Sequence, residues 1–417
     1  MKKLFWIFIA SPVLFSARIW AQETVKDTVF LIPFADTVLL DEVVVKAHKT
    51  IPMNNRWSDL QPVDLVTVAG ANGNLYKALE TLPGTQIQGE SGRLLVRGGS
   101  SDETQTYIDG MHVLNPYTST AENIPARGRY SPFMFSGINL STGGHSQEYG
   151  EALSAVLPLE TKDNSRINKV GISPSTVGIG GGGNHAFRNA SLALNLDYQN
   201  LALYNKVYPG RIDFKKPYQM FSGATQFRYT PSGSSVFKIY VGYDRTDYSN
   251  YTDNNRYLFC LGENNVYLNS TFRTAISGGW EWFSGMAYSL FDRKVDGAVT
   301  EGDHWCEKQA ELHFKTKLSK KFHPTFRMDV GFESFLRWYE TRYSQVSVAD
   351  TKEISPTIEA VFGTVSYYPV ENLKAELSFR TEYASLARKI NFSPRLSFSY
   401  SWCDLVLSAT AGGDTQL

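Results

Sequence analysis

After its N-terminal segment, this 417-residue chain has no apolar run near the ~20 residues that a membrane-crossing helix needs. From about residue 166 it instead repeats segments of roughly ten residues in which apolar and polar side chains alternate. "SVFKIYVGYDRTDY", "WEWFSGMAYSLF" and "LKAELSFRTEYA" are clear examples, rich in Tyr and Phe. Alternation at period two gives a strand one apolar and one polar face. Lipid accepts only helices and closed barrels, because every backbone polar group must be satisfied internally. The pattern therefore predicts antiparallel transmembrane β-barrel strands. A soluble β-sandwich of short strands is the alternative. The 23 Tyr and 25 Phe and segments near the ~9–11 residues of a spanning strand favour the barrel.

The connections alternate in length. "TPSGS", "SGG", "SKKFHP", "YPVEN" and "WCD" are tight, whereas long polar loops are expected around 199–218, 246–263, 294–305 and 342–354. Short turns belong on the periplasmic side of an outer-membrane barrel. If the first strand rises from that side, tight turns follow even-numbered strands. That parity requires a short hairpin over residues 168–183 with Ser173–Thr176 as its turn. About thirteen strands then precede the C-terminus.

The N-terminus reads as an export signal. Met1-Lys2-Lys3 is basic, "LFWIFIASPVLF" is apolar, and cleavage is expected after Ala21, although Ile19 is not ideal at the −3 position. A membrane anchor is the alternative, disfavoured by Pro12 and by shortness. The expected organisation is a signal peptide (1–21), a periplasmic leader (22–50), a compact α+β unit (51–163) and barrel strands (164–417). In the α+β unit, Asn72–Gly84 predicts a helix stopped by Pro83-Gly84. Gly92–Gly99 and Thr104–Gly110 predict strands closed by glycine turns.

Charge is balanced at 41 basic and 41 acidic residues, so no field favours nucleic acid. Cys260, Cys306 and Cys403 form neither a disulfide framework nor a zinc spacing. An oxidising location would allow a Cys260–Cys306 disulfide. No H-E-x-x-H, G-x-S-x-G or Walker-type sequence is present. Gly178–Asn184 lacks the Lys and helix of a phosphate loop, and His145, His304 and His323 are scattered. No enzyme activity, metal or cofactor is expected.

Four stretches in order carry a resemblance: "LDEVVV" (Leu40–Val45), "LYKALETLPGTQI" (Leu75–Ile87), "LLVRGGSSDETQTYIDGMHVLNP" (Leu94–Pro116) and "GINLSTGGHSQEYGEALSAVLPLETKD" (Gly137–Asp163). Together they resemble the plug region of TonB-dependent outer-membrane receptors, most of all those of Bacteroidetes. The resemblance implies an α+β plug inside a closed barrel of about 22 strands, in the outer membrane and among its lipids. It implies that Leu40, Asp41, Glu42, Val43, Val44 and Val45 form a TonB box. A TonB-type inner-membrane protein would add a strand to it by β-augmentation. The alternative is that Val43–Val45 form an ordinary first plug strand.

By the same resemblance, Arg97 would pair with barrel glutamates and lock the plug; a turn arginine facing lumen water is the alternative. Gly98, Gly99, Asp109, Gly110, Gly143 and Gly144 are expected to build plug turns, as is Glu148-Tyr149-Gly150. Ligand contact is expected from Gln88–Gly92 and from His112, Asn115, Tyr117, Arg127, Arg129 and Tyr130. The two arginines would suit an anionic group, unless they pack against the barrel wall. A surface lipoprotein partner is a further expectation.

Two features depart from the family. The strand count is odd and well short of 22, and "SATAGGDTQL" is not a terminal aromatic strand. A truncated frame, a fragment or part of a split gene is therefore expected. The short leader favours a simple importer of a chelate, cofactor or oligomer. The expected function is energised uptake of a scarce ligand. A non-transporting surface binder or adhesin and a non-functional truncated receptor are the alternatives.

Overall fold

The computed structural model describes residues 57–413, apart from 61–64, 66, 72, 88, 120–124, 163–167, 210–212, 252–256, 347, 371 and 403–404. The signal peptide and Leu40–Val45 lie outside the described residues, as do Gln88 and Cys403.

The first part carries β1 (Trp57–Leu60), α1 (Leu75–Leu79), β2 (Thr85–Ile87), β3 (Leu94–Val96), β4 (Thr104–Ile108), β5 (Met111–His112), β6 (Phe135–Ser141) and β7 (Ala155–Thr161). Five strands form one sheet in the order β1-β6-β7-β4-β5, and β2 pairs with β3. Only β4 and β7 run parallel. The helix expected over 72–84 is shortened to five residues. Asn74 caps its start, accepting from the Tyr76 N–H at 3.2 Å. Hydroxyls end it: Thr81 donates to the Ala78 carbonyl and Thr85 to the Leu79 carbonyl, both at 2.8 Å. Such side-chain bonds compete with helical ones, and Pro83 disfavours helical geometry at Leu82.

The second part is a 14-stranded antiparallel sheet. It comprises β8 (Lys169–Ser175), β9 (Gly178–Ala186), β10 (Ala190–Asn200), β11 (Phe214–Ser232), β12 (Ser235–Tyr251), β13 (Leu258–Ile276), β14 (Trp280–Asp296), β15 (His304–His323), β16 (Phe326–Gln345), β17 (Val348–Ile354), β18 (Thr357–Val370), β19 (Leu373–Ala384), β20 (Lys389–Trp402) and β21 (Leu405–Gly412). A short helix, α2 (Ala202–Val207), joins β10 to β11. Thirteen strands follow one path from β8 to β21, and β17 pairs only with β16. The strand count and the parity of tight turns match the sequence reading. The sheet is open, with β8 and β21 as its edges.

Two details differ from that reading. The first hairpin turns at residues 176–177, because β8 runs through Pro174 to Ser175. An edge strand tolerates the missing proline N–H. The segments expected as long loops are shortened by pairing at their ends: Tyr251 faces Leu258, and His304 faces both Asp296 and Ser344. Their polar sequence hid this, because strands that rise into water need no apolar face.

The wall is inside out relative to a soluble sheet. On β19, Lys374, Glu376, Ser378, Arg380 and Glu382 are buried, while Leu377, Phe379 and Tyr383 are exposed. On β20, Ser393, Arg395, Ser397 and Ser399 are buried, while Phe392, Leu396, Phe398 and Tyr400 are exposed. An apolar outer face and a polar inner one suit lipid outside and polar contents within. The contents are the first part of the chain, whose apolar core (Leu75, Leu79, Ile108, Phe135, Leu157) continues into wall residues Tyr240, Tyr267 and Phe283.

Candidate plug lock and ligand cavity

Buried ions join the two parts around Gln147–Glu151. Glu148 pairs with Lys317 at 2.7 Å and Lys315 at 3.3 Å. Lys315 also faces Glu333 at 3.6 Å, and Glu333 pairs with Arg380 at 2.8 Å. Arg380 pairs in turn with Glu382 and donates to the Gln147 carbonyl at 3.5 Å. Gly150 lies flat against that guanidinium; a Cβ there would sit 2.3 Å from Arg380 Nη2. Glu151, held at a left-handed φ of 59°, reaches Arg337 at 2.6 Å. Arg337 also holds Glu311 at 2.7 Å. Charges this buried are tolerated only when paired and hydrogen-bonded.

Burial alone would raise the Glu148 pKa. The Lys317 and Lys315 ammoniums outweigh it and hold the carboxyl at about 2, against 4.5 ordinarily. A folded value below the unfolded one means that the stabilisation is complete above about pH 4.5 and is lost as pH falls towards about 2. Protease protection of residues 145–151 is therefore expected to weaken across that interval. Glu148→Gln should flatten the pH dependence; an unchanged profile in the variant would show that another group governs it.

Further contacts follow the β5 end. His112 Nδ1 lies 2.6 Å from Glu311, its Nε2 lies 2.8 Å from Gln105 Oε1, and its N–H donates to His313 Nδ1 at 3.0 Å. Asn115 donates to Gln309 at 3.1 Å, and Ser119 to Glu263. Arg129, fully enclosed, pairs with Asp244 at 2.7 Å and donates to the Asn115 carbonyl. Lys238 reaches Asp109 at 3.2 Å.

A cavity of about 450 Å³ opens between these contacts. Its plug lining includes Arg93, Asp102, His112, Asn115, Tyr117 and Glu151. The wall supplies Glu263, Arg293, Glu307, Gln309, Arg337 and Tyr339, all from the long-connection halves of β13 to β16. The cavity therefore faces the rim away from the tight turns.

The residues named from sequence divide clearly. His112, Asn115 and Tyr117 line the cavity. Tyr117 is buried, and its hydroxyl accepts from the Leu94 N–H at 3.3 Å. Arg127, Arg129 and Tyr130 are not among its lining residues. Arg129 is spent on the wall, Tyr130 packs against Tyr240 and Tyr267, and the Arg127 N–H donates to Thr118 Oγ1.

Arg97 sits in the setting of the alternative reading, that of a turn arginine. It is exposed on a turn at φ 52°, with its N–H donating to the Gly84 carbonyl. Around Gln147–Glu151 plug glutamates meet wall lysines and arginines, whereas Arg129 meets the wall carboxylate Asp244. Gly98, Gly110, Gly143 and Gly144 take positive φ. Gly99 does not; a Cβ there would strike Ser154 Oγ at 1.7 Å. Asp109, also at positive φ, accepts from the Thr161 N–H and hydroxyl of β7 rather than from its own turn. Cys260 and Cys306 are free thiols. Strand β14 separates them, and they face Asp296 and Lys294, two residues apart on it; ordinary strand spacing and rise then put them roughly 12 Å apart, beyond disulfide reach.

Sequence reasoning missed Glu148 and Glu151 as lock residues, and missed all their wall partners. A signal existed in "HFKTKL": Lys315 and Lys317 share one strand face while Phe314 and Leu318 occupy the other.

Residues 65–156 match the family model of the TonB-dependent receptor plug domain. No curated protein matches the sequence. The fold is similar to that of the outer membrane transporter YddB from Escherichia coli, with TM-score 0.65 and 12% identity, covering 83% of this chain and 59% of that one. The copper transporter OprC gives 0.67 and 12%, covering 86% and 64%. The siderophore receptor PirA from Acinetobacter baumannii gives 0.66 and 12%, covering 88% and 62%. This chain thus spans 59 to 64% of the length of these three structures. It carries a TonB-dependent receptor plug domain followed by the antiparallel wall strands of that fold.

Proposed function

We propose that the chain acts as a TonB-dependent outer-membrane receptor for energised ligand uptake. Ligand is captured in the cavity at the long-connection rim, which faces outside. A TonB-type partner then pulls on Leu40–Val45 and displaces the plug. The observation that carries this reading is the lock: the plug is ion-paired into the lumen at several points, so passage requires work on the plug. The transporter and receptor identities of the similar structures support it. No catalytic step is involved. Edge strands cannot present unpaired backbone to lipid, so β8 and β21 require partner strands in the membrane.

The test uses the full chain in detergent with the periplasmic domain of a TonB-type protein. Deleting Leu40–Val45 is expected to abolish capture of that domain while protease protection of the plug stays unchanged. Capture that survives the deletion would refute the handle.

A further inference from the structure

Three guanidinium–carboxylate pairs have both members in the cavity lining. Arg93 faces Asp102 at 3.7 Å, and both belong to the plug. Arg293 pairs with Glu307, and both belong to the wall. Arg337 alone among these described pairs joins wall to plug, through Glu151. It is also nearly enclosed, with 9% of its side chain exposed. The remaining lining carboxylate, Glu263, accepts from Ser119 and Asn265.

We propose that Arg337 is where ligand recognition and plug release meet, the ligand being one that carries a carboxylate or similar oxyanion. Its anionic group replaces the Glu151 carboxylate on Arg337 and leaves the Arg337–Glu311 pair in place. A guanidinium offers several donors in a planar fork and accepts either carboxylate equally well. Binding is then an exchange: one plug anchor is given up for each ligand bound. Glu151 holds a left-handed backbone that its surroundings must enforce, so loss of the pair frees residues adjoining Gly150. The anchors at Lys315, Lys317 and Arg380 remain for the pull on the leader. This inference rests on the receptor reading and adds the ligand chemistry and the residue that couples ligand to plug.

Exchange makes a signed prediction, because coupling between two binding events is reciprocal. Citrate is the probe, titrated into the full chain in detergent. Glu151→Gln keeps the shape of the competitor but removes its charge, so citrate should bind about tenfold tighter. Arg337→Gln should abolish citrate binding. In the unaltered chain, citrate should increase protease cleavage within residues 147–151. Unchanged or weaker citrate binding in Glu151→Gln would overturn the proposal, as would citrate that binds neither form or that binds Arg337→Gln normally. If Arg337→Gln does not fold, the Glu151→Gln titration decides alone. Capture of the TonB-type domain through Leu40–Val45 is scored separately, so that reading can stand while the exchange falls.

Discussion

Arg380→Met is expected to release the plug from the wall. Arg380 is 3% exposed and serves two wall carboxylates, Glu333 and Glu382, as well as the Gln147 carbonyl and the face of Gly150. Methionine fills similar space but leaves both carboxylates buried without the guanidinium they share. Removing one member of a buried ion network typically costs about 3–5 kcal/mol. Glu333 also leans on Lys315, which leans on Glu148, so the loss spreads along the network rather than ending at one pair. Limited proteolysis of the plug and its thermal midpoint should both report the change. A plug as protected as that of the unaltered chain would mean that Arg380 does not hold it.

A second large effect is expected at the other end of the interface. Asp244→Asn keeps the shape of the wall residue and removes the charge that Arg129 needs. The pair has 2% and 4% side-chain exposure, so water cannot take over. The expected loss is again about 3 kcal/mol. Arg129 would keep the Asn115 carbonyl and the Tyr130 ring, 5.5 Å away. Because Asn115 lines the cavity, this variant should also weaken citrate binding, whereas Glu151→Gln should strengthen it. Opposite signs from two plug–wall contacts separate a disordered cavity from a competitive exchange. A neutral effect of Asp244→Asn on the plug's thermal midpoint would remove Arg129 from the docking interface.

Much of the wall was legible because lipid imposes a simple rule. Apolar residues must face out along every spanning strand, and "LKAELSFRTEYA" states that rule at period two. The polar ends of the strands obey no such rule, so Thr246–Tyr251 and Leu258–Glu263 read as loops although they pair. In the plug, turn glycines were readable because positive φ at Gly98, Gly110 and Gly143 constrains residue type locally. The lock was not readable in the same way. Glu148 and Lys317 are separated by 169 positions, and nothing near either one reveals the other. The family pattern pointed to a plug arginine paired with a wall carboxylate; Arg129 on Asp244 has that chemistry, whereas Glu148 and Glu151 meet wall cations. For the candidates between His112 and Tyr130 the sequence leaves two readings open, ligand contact or, for Arg127 and Arg129, packing against the wall. The structure divides them, because Arg129 finds a carboxylate on β12 before it can reach the cavity.

The central claim is that the plug is closed at rest by the Gln147–Glu151 contacts and opens when its leader is pulled. Single-molecule force spectroscopy on the full chain in a lipid bilayer, pulled from the leader at Leu40, tests this directly. Plug extension should precede any extraction of wall strands, and Glu148→Gln combined with Glu151→Gln should lower the force of that first step. Wall strands leaving first, or a first step whose force is unchanged by the double substitution, would contradict the claim.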